Sequence, residues 1–234
     1  MQEPAFLIFL TLTFLAAGVA KGVTGMGLPT LAMALLGTGM PPATAAALLV
    51  IPSLVTNVWQ LLAGPAMVHL IRRLWTMMVA IMLATVGGAA LLVQADPLWS
   101  GLALGIALVV YVAYALAAPA LSVPLRLEGW LSPLAGLLTG LISGATGVLV
   151  MPAVPYLQAL RLDKDELVQA LGLSFTVSTV ALAAGLAGHG AFRFDQMGLS
   201  AAVIVPALAG MWLGQKLRAR ISPARFRQCF LQLL

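Results

Sequence analysis

Long apolar segments alternate with short polar connectors along most of the chain. The apolar runs lie roughly at 5–20, 28–36, 43–63, 75–93, 98–118, 131–150, 167–188, 197–214 and 224–234. Because a helix needs about 20 residues to cross the apolar core of a bilayer, most of these runs predict membrane-spanning helices. The second run is too short to cross alone. We expect the final run to be the beginning of a last helix that is cut off.

Composition supports this interpretation and excludes other classes of protein. Of the 234 residues, 62% are hydrophobic and only 8% are charged, whereas a soluble domain carries about 25% charged residues. Most of the exterior must therefore face lipid. The net charge of +5 is spread over short connectors, which does not favour a nucleic acid partner. We predict one all-α polytopic membrane domain over residues 1–234, with about eight transmembrane helices.

Few residues offer catalytic or metal-binding chemistry. Cys229 is the only cysteine, and the two histidines, His69 and His189, each precede an arginine-bearing connector. This pattern excludes an internal disulfide and a cysteine-held metal. All seven acidic residues lie in connectors or at the N-terminus, so proton coupling through Asp or Glu has no support. We predict no metal, no cofactor and no enzymatic activity.

A short glycine pattern occurs twice, at a shift of 122 residues. Residues 18–25 read G-x3-G-x-T-G, and residues 140–147 repeat that pattern. Duplicated halves are common in transporter folds. We therefore predict two repeated halves, at about 1–120 and 121–234.

Each copy of the pattern carries residues that can break a helix. Glycine tolerates a positive φ, and proline removes a backbone donor. The residues concerned are Gly22, Gly25, Gly27 and Pro29 in the first half, and Gly144, Gly147 and Pro152 in the second. A helix can break inside a bilayer only beside protein or a wet cavity, and the freed amides of the next half-helix can bind an anion. We predict glycine-broken or re-entrant helices at the start of each half.

A second interpretation of these glycines remains open. Gly18 with Gly22, and Gly140 with Gly144, have the spacing of small residues that let two helices pack closely. Thr24 and Thr146 add hydroxyl donors at equivalent places in the two copies.

Lys21 interrupts an apolar stretch directly after the first run. An ammonium there is costly unless it reaches the interface, faces water or meets an anion. Two interpretations remain: helix 1 ends at Lys21 and the side chain reaches the membrane surface, or Lys21 is a fixed positive charge for a bound anion. Its counterpart in the second half is Ser143, so a site would be asymmetric.

Polar residues also follow the glycine segments in both halves. Ser53, Thr56, Asn57 and Gln60 share one helical face, and the corresponding region of the second half is Ser174, Thr176, Ser178 and Thr179. Serine and threonine often bond only to their own helix. Asn57 and Gln60 do this less easily, so we expect them to bond between helices or to contact substrate.

These motifs resemble the sulfite exporter TauE/SafE family, and the resemblance covers essentially the whole chain. It rests on the two glycine motifs and on the segments Lys21–Gly27 and Thr56–Gln60. The resemblance implies a multi-pass carrier of the bacterial inner membrane that moves sulfite, organosulfonates or related anions. The second copy departs from the usual family pattern, because Gly147 is followed by Val-Leu-Val and not by more glycine.

The function predicted from these features is secondary transport of a small anion by alternating access around a midplane site. The predicted partners are this anion and the lipid bilayer; a non-transporting scaffold or assembly factor is the alternative. The predicted substrate-binding residues are Lys21, Gly22, Thr24, Gly25, Gly27, Asn57, Gln60, Ser143, Gly144, Thr146, Gly147, Ser174 and Thr176.

Charge also suggests an orientation. With eight simple crossings, the 216–227 block and the Arg161/Lys164 connector fall on one side, and Arg72–Arg73, Arg126 and Arg193 fall on the other. The first group has more basic residues and is predicted to be cytoplasmic. A re-entrant glycine segment would change this count.

Overall fold

The computed structural model describes residues 4–117, 122–191 and 197–220, and these residues form helices joined by short connectors. In chain order the helices are α1 (Pro4–Thr24), α2 (Leu28–Leu36), α3 (Pro42–Leu62), α4 (Met67–Gln94), α5 (Pro97–Ala117), α6 (Leu125–Thr146), α7 (Ala153–Ala159), α8 (Lys164–Gly188), α9 (Met197–Ala202) and α10 (Ile204–Arg220). The all-helical prediction is therefore confirmed for the described residues. The run predicted at 224–234 lies outside them.

Six helical segments of the described chain are long and apolar enough to cross a membrane. They are α1, α3, α4, the first part of α5, α8 and the stretch 198–217. Helix α6 has 22 residues but is not among the six, since Ser, Thr and Gly interrupt it and its first turn is charged. The number of eight transmembrane helices is not confirmed.

The predicted breaks in the first and sixth helices are present. Helix α1 ends at Thr24, and Gly25 and Gly27 have φ of 77° and 104°. Helix α6 ends at Thr146, and Gly147 has φ of 74°. Residues with a side chain rarely adopt this left-handed region. Glycine is thus required where each long helix stops.

The short helices α2 and α7 return the chain alongside the long helices. The backbone N–H of Val123 donates to Ala159 O, 2.9 Å away, so the end of α7 lies beside the start of α6. In the first half, Tyr111 of α5 contacts Met26, and Gly37 lies against Leu104. Helix α2 therefore runs opposite to α5. Both short helices are re-entrant, not merely kinked.

Glycines bring two pairs of parallel helices into close contact. Gly18 and Gly22 of α1 lie against the backbone of Ala207 and Met211 in α10. In the same way, the α6 glycines at 136, 140 and 144 lie against α4 at residues 77, 81 and 85. The small-residue packing that the sequence left open is therefore present, and it involves different glycines from those at the breaks.

Helices α3 and α8 form the centre of the bundle and run antiparallel. Asn57 contacts Thr179, and Gly172 lies against Leu61. Pro52 interrupts the α3 hydrogen-bond ladder, since proline cannot donate to the carbonyl four residues earlier. The hydroxyl of Ser200 in α9 donates to that carbonyl, Leu48 O, at 2.8 Å. The cost of the proline is thereby offset, and α9 is fixed to α3.

One end of the bundle holds every described lysine and arginine position except Lys21. The ends of α1, α3 and α10 meet the starts of α4, α6 and α8 there. Arg73 of α4 and Glu128 of α6, for example, form an ion pair with an Nε–Oε1 distance of 2.7 Å. The basic positions are Arg72, Arg73, Arg126, Arg161, Lys164, Lys216, Arg218 and Arg220. We call this the basic end.

The predicted distribution of basic residues over two sides is therefore wrong. It assumed simple crossings, whereas α2 and α7 each reverse the chain and add a return pass to each half. Arg72–Arg73 and Arg126 consequently lie at the same end as Arg161 and Lys216. The opposite end holds the start of α1, Asp96 and His189. Arg193 lies outside the described residues.

Candidate functional site

Lys21 is buried inside the bundle, one turn before α1 breaks. Its side chain is 2% exposed. The side-chain nitrogen Nζ donates to Thr56 Oγ1 at 3.1 Å and to Asn57 Oδ1. Helix α1 continues to Thr24, so the interpretation in which Lys21 ends the helix and reaches the membrane surface is wrong. Its two partners are neutral side chains of α3.

Asn57 connects this lysine to α8. Its Nδ2 donates to Thr179 Oγ1 at 3.1 Å, and Thr179 in turn donates to Phe175 O at 2.7 Å. A hydrogen-bonded chain thus runs from α1 through α3 to α8. The expectation that Asn57 bonds between helices is confirmed.

Gln60 lies between Lys21 and the basic end. Its Nε2 donates to Gly25 O and to Val168 O, both at 2.8 Å. Gln169 binds from the other side, donating to Leu61 O and Gly64 O at 2.7 and 2.6 Å. The two amide side chains join the end of α1, the end of α3 and the start of α8. Lys21 is therefore separated from the basic end.

A small cavity lies on the other side of this network. Helices α2, α3 and α8 and the break after α6 form its wall. The lining residues are Pro29, Ala46, Leu49, Val50, Ser53, Gly147, Leu149, Thr179 and Leu182. Ser53 lies near the middle of α3 and about one turn from Asn57, or about 6 Å along the axis. The cavity thus adjoins the lysine network through Ser53 and Thr179.

Several hydroxyl groups in this region are buried without a hydrogen-bond partner in the described chain. Ser53 Oγ, which lines the cavity, is one of them, and its residue is 2% exposed. Thr30 of α2 and Ser174 and Ser178 of α8 are others. A buried hydroxyl without a partner costs about 1–3 kcal/mol. For Ser53, this cost is removed when a polar solute or water fills the cavity.

The first turn of α2 also faces the cavity, through Pro29. The first bond of this helix runs from the N–H of Leu31 to Gly27 O at 2.8 Å, so the N–H groups of Leu28 and Thr30 precede the helical ladder. Gly27 provides no side chain to cap them. A helix N-terminus with free amides favours an anion.

The predicted threonines serve the breaks themselves. Thr24 donates to Ala20 O at 2.8 Å and accepts from the N–H of Met26 at 3.0 Å. Thr146 likewise donates to Ile142 O at 2.7 Å and accepts from the N–H of Val148 at 3.2 Å. Both hydroxyl protons are already donated to the protein backbone, so these residues shape the break.

The other predicted residues are divided between the cavity and helix contacts. Gly147 lines the cavity, whereas Gly22 and Gly144 lie in the α1–α10 and α4–α6 contacts. Ser143 donates to Val148 O at 3.1 Å, and Thr176 donates to Gly172 O at 2.6 Å. Gly25 accepts from Gln60 through its carbonyl. The structure therefore brings Lys21, Asn57 and Gly147 towards one region, with Ser174 buried on the adjoining helix.

Ser53, Thr179 and Pro29 line the cavity but were not among the predicted site residues. Ser53 was visible in the sequence as part of the polar face shared with Asn57. Only the position of α8 against α3 identifies Thr179 as its neighbour, and sequence spacing does not give that position. Among the described residues, no cluster of three His, Cys, Asp or Glu side chains could hold a metal.

The fold and the buried site define a class of protein. Long apolar helices, two re-entrant segments and a buried polar centre describe a multi-pass membrane protein of the transporter type. The chain belongs to the family described as sulfite exporter TauE/SafE, whose model matches residues 10–234. Searches of curated proteins and of solved structures gave no match. Membership of this family makes the chain a transporter of the sulfite and small-anion class.

Proposed function

We propose that this protein is a secondary transporter that exports a small anion, sulfite or an organosulfonate, across the bacterial inner membrane by alternating access. The observation that carries the proposal is the position of the Lys21 ammonium, buried one helical turn from a cavity with an unpartnered serine hydroxyl. A buried positive charge with only neutral partners favours an anion beside it.

The anion occupies the cavity between α2, α3 and the break after α6. The Ser53 hydroxyl donates to it, and the first turn of α2 borders it at Pro29. Lys21 lies beyond Asn57, its hydrogen-bond partner, which is one turn along α3 from Ser53. These groups suit an oxyanion, since hydroxyl and amide donors bind oxygen atoms without requiring a second fixed charge.

The two halves, at about 1–120 and 121–234, act as inverted repeats. Parallel contacts support this: α1 packs on α10 and α6 packs on α4, both through glycines. The breaks also correspond, since the N–H of Gly25 bonds to Lys21 O and that of Gly147 to Ser143 O, at 2.7 and 2.8 Å. Because each re-entrant helix adds a return pass, α1 and α6 run in opposite directions. Alternating access then arises from rocking of the α1–α10 and α4–α6 pairs around α3 and α8.

The basic end faces the cytoplasm in this proposal, because positively charged connectors remain inside. We expect a reporter that is active only outside the cytoplasm to be inactive after Arg73 and active after Asp96. A cytoplasmic fluorescent reporter should give the reverse result. Equal signals at both positions, or the opposite order, would refute this orientation.

Ser53→Ala tests the position of the anion. Removal of one hydroxyl donor to a charged ligand should weaken anion binding about tenfold. The unfolding midpoint should stay the same or rise, because a buried hydroxyl without a partner is removed. Ser100→Ala is the matched control, since Ser100 is buried in α5 and bonds to its own helix at Pro97 O. Unchanged anion affinity in Ser53→Ala would show that the anion does not bind in this cavity.

The function itself is tested by flux into proteoliposomes that contain the purified protein. Sulfite, sulfoacetate, taurine, thiosulfate and simple carboxylates are the probes, and exchange of labelled for unlabelled anion is the readout. We expect saturable exchange for at least one sulfur oxyanion and none in protein-free vesicles. Absence of exchange for every probe, with the protein intact, would leave the scaffold or assembly-factor alternative as the better explanation.

A further inference from the structure

We propose that Lys21 carries a proton that is transported together with the anion, so that the protein is a proton–anion symporter selective for monovalent anions. This inference rests on the proposed anion transport and adds the coupling ion and the charge class of the substrate. Because the proton and the anion move in the same direction, export by this carrier requires an outward anion gradient that is larger than the inward proton gradient. The group that carries the proton is an amine and not a carboxylate.

The hydrogen bonds of Lys21 fit a neutral amine when the cavity is empty. A neutral amine has two N–H donors, and Thr56 Oγ1 and Asn57 Oδ1 are its two acceptors. An ammonium has a third N–H, and no further acceptor for it is found among the described residues. A third donor therefore requires a group that enters the bundle from outside. An anion in the adjoining cavity provides the compensating charge.

In the part of the chain that the structure describes, no side chain supplies a counter-charge near this amine. Helices α2 and α3 contain no titratable side chain, and α1 contains none besides Lys21. Buried Tyr111 of α5 contacts Met26. On α10, Lys216 is exposed and stacks on Trp212, 3.6 Å from the ring centroid. The positions Arg218 and Arg220 follow it towards the basic end.

The charged residues of α8 are confined to its first turn. These are Lys164, Asp165 and Glu166, and the bonds of Gln60 to Gly25 O and Val168 O lie between them and Lys21. A carboxylate held directly against the ammonium would keep it protonated throughout the cycle. In its absence, the site has a low net charge only if the proton and the anion enter and leave together.

Charge balance then sets the stoichiometry. In the empty carrier the amine is neutral, and in the loaded carrier one ammonium faces one monovalent anion. The site therefore has no net charge in either state when the carrier changes the side to which it opens. Nζ takes the proton from water on the open side and returns it to water on the other. A divalent anion would leave one uncompensated negative charge in a low-dielectric region, which is costly.

The test compares proton uptake on anion binding in the wild type and in Lys21→Arg, whose guanidinium stays protonated. Calorimetry of sulfite binding in buffers of different ionisation enthalpy measures this uptake. The ionisation of sulfite itself is common to both proteins and cancels in the difference. We expect the wild type to take up about one more proton per bound anion than Lys21→Arg does. We also expect the affinity of the wild type for sulfite to fall about tenfold more per pH unit above neutrality than the affinity of Lys21→Arg.

Asn57→Asp is the second variant and keeps the size of the side chain. Its carboxylate keeps the Lys21 ammonium protonated and competes with the anion, so the variant should bind sulfite more weakly than the wild type. Like Lys21→Arg, it should take up no additional proton when the anion binds. If neither variant binds sulfite, an imposed pH gradient should still drive accumulation of methanesulfonate, whose charge is fixed, by the wild type. Accumulation that does not respond to the gradient overturns the proposal.

The two proposals can fail separately. If the wild type exchanges sulfite but matches Lys21→Arg in proton uptake, proton coupling by Lys21 is wrong and anion transport stands. If the wild type exchanges none of the anions, both proposals are wrong. Higher flux for divalent sulfoacetate than for methanesulfonate refutes the preference for monovalent anions.

Discussion

Lys21→Met is expected to reduce anion flux by about 10- to 100-fold and to leave the protein folded. The substitution removes the buried positive charge one turn from the cavity, and a charged interaction of this kind contributes about 1.5–3 kcal/mol. Methionine has a similar length and no charge to desolvate, so the packing of α1 against α3 should persist. The measurement is initial exchange rate in proteoliposomes at equal protein content, together with the unfolding midpoint in detergent.

Lys216→Met is the matched control for this prediction. Lys216 lies on α10 with an exposed side chain over Trp212, so the same loss of charge occurs outside the bundle. Its flux should remain within about twofold of the wild type. If Lys21→Met exchanges anion at the wild-type rate, Lys21 has only a structural role.

The ends of the broken helices could be predicted from the sequence because few residues can occupy them. Gly25, Gly27 and Gly147 adopt positive φ values, for which glycine is strongly favoured. The following apolar run at 28–36 was already too short to cross, and α2 spans Leu28–Leu36. Local backbone chemistry thus determined where each long helix stops.

The direction of the re-entrant helices could not be predicted in this way. Whether a chain continues or turns back after Gly25 depends on contacts with distant helices, such as those of Met26 with Tyr111 and of Gly37 with Leu104. A single return pass changes the side of every later connector. This is why charge counting gave a wrong distribution although the basic residues themselves were plain in the sequence.

The candidate site was predictable in part for the same reason. Lys21 and Asn57 attracted notice because a charge and an amide are costly in an apolar segment. Their hydrogen bond joins residues 36 positions apart, and sequence spacing does not determine it. Ser53 and Thr179 are ordinary residues for a membrane helix. Their position around one cavity depends on the register of α3 against α8.

The two functions of the glycines are separable in the structure. Glycines at the breaks are required because the backbone has a positive φ there. Glycines within the helices are required because a side chain would overlap the backbone of the neighbouring helix. This distinction explains why one repeated motif supported both interpretations in the sequence. Gly22 and Gly144, which we predicted as binding residues, lie where two helix backbones meet. Their substitution should therefore act on packing before it acts on transport.

Gly22→Ala is expected to destabilise the protein by about 3 kcal/mol, the upper part of the range for overpacking. A Cβ on Gly22 would overlap the carbonyl oxygen of Met211 and lie 2.9 Å from the backbone N of Gln215. Because these neighbours are backbone atoms of α10, no side-chain rotation can relieve the overlap. The α1–α10 pair must separate. Thermal unfolding in detergent, followed by circular dichroism, measures the effect.

Gly101→Ala is the control, since a Cβ on this glycine in α5 has no atom within 4 Å. Alanine has a higher helix propensity by about 1 kcal/mol, so this variant should be as stable as the wild type or more stable. Gly144→Ala should behave like Gly22→Ala, because its Cβ would lie 2.6 Å from Thr85 O in α4. Equal stability of all three variants would mean that the parallel pairs are not held by backbone contact, and the rocking of these pairs as units would lose its physical basis.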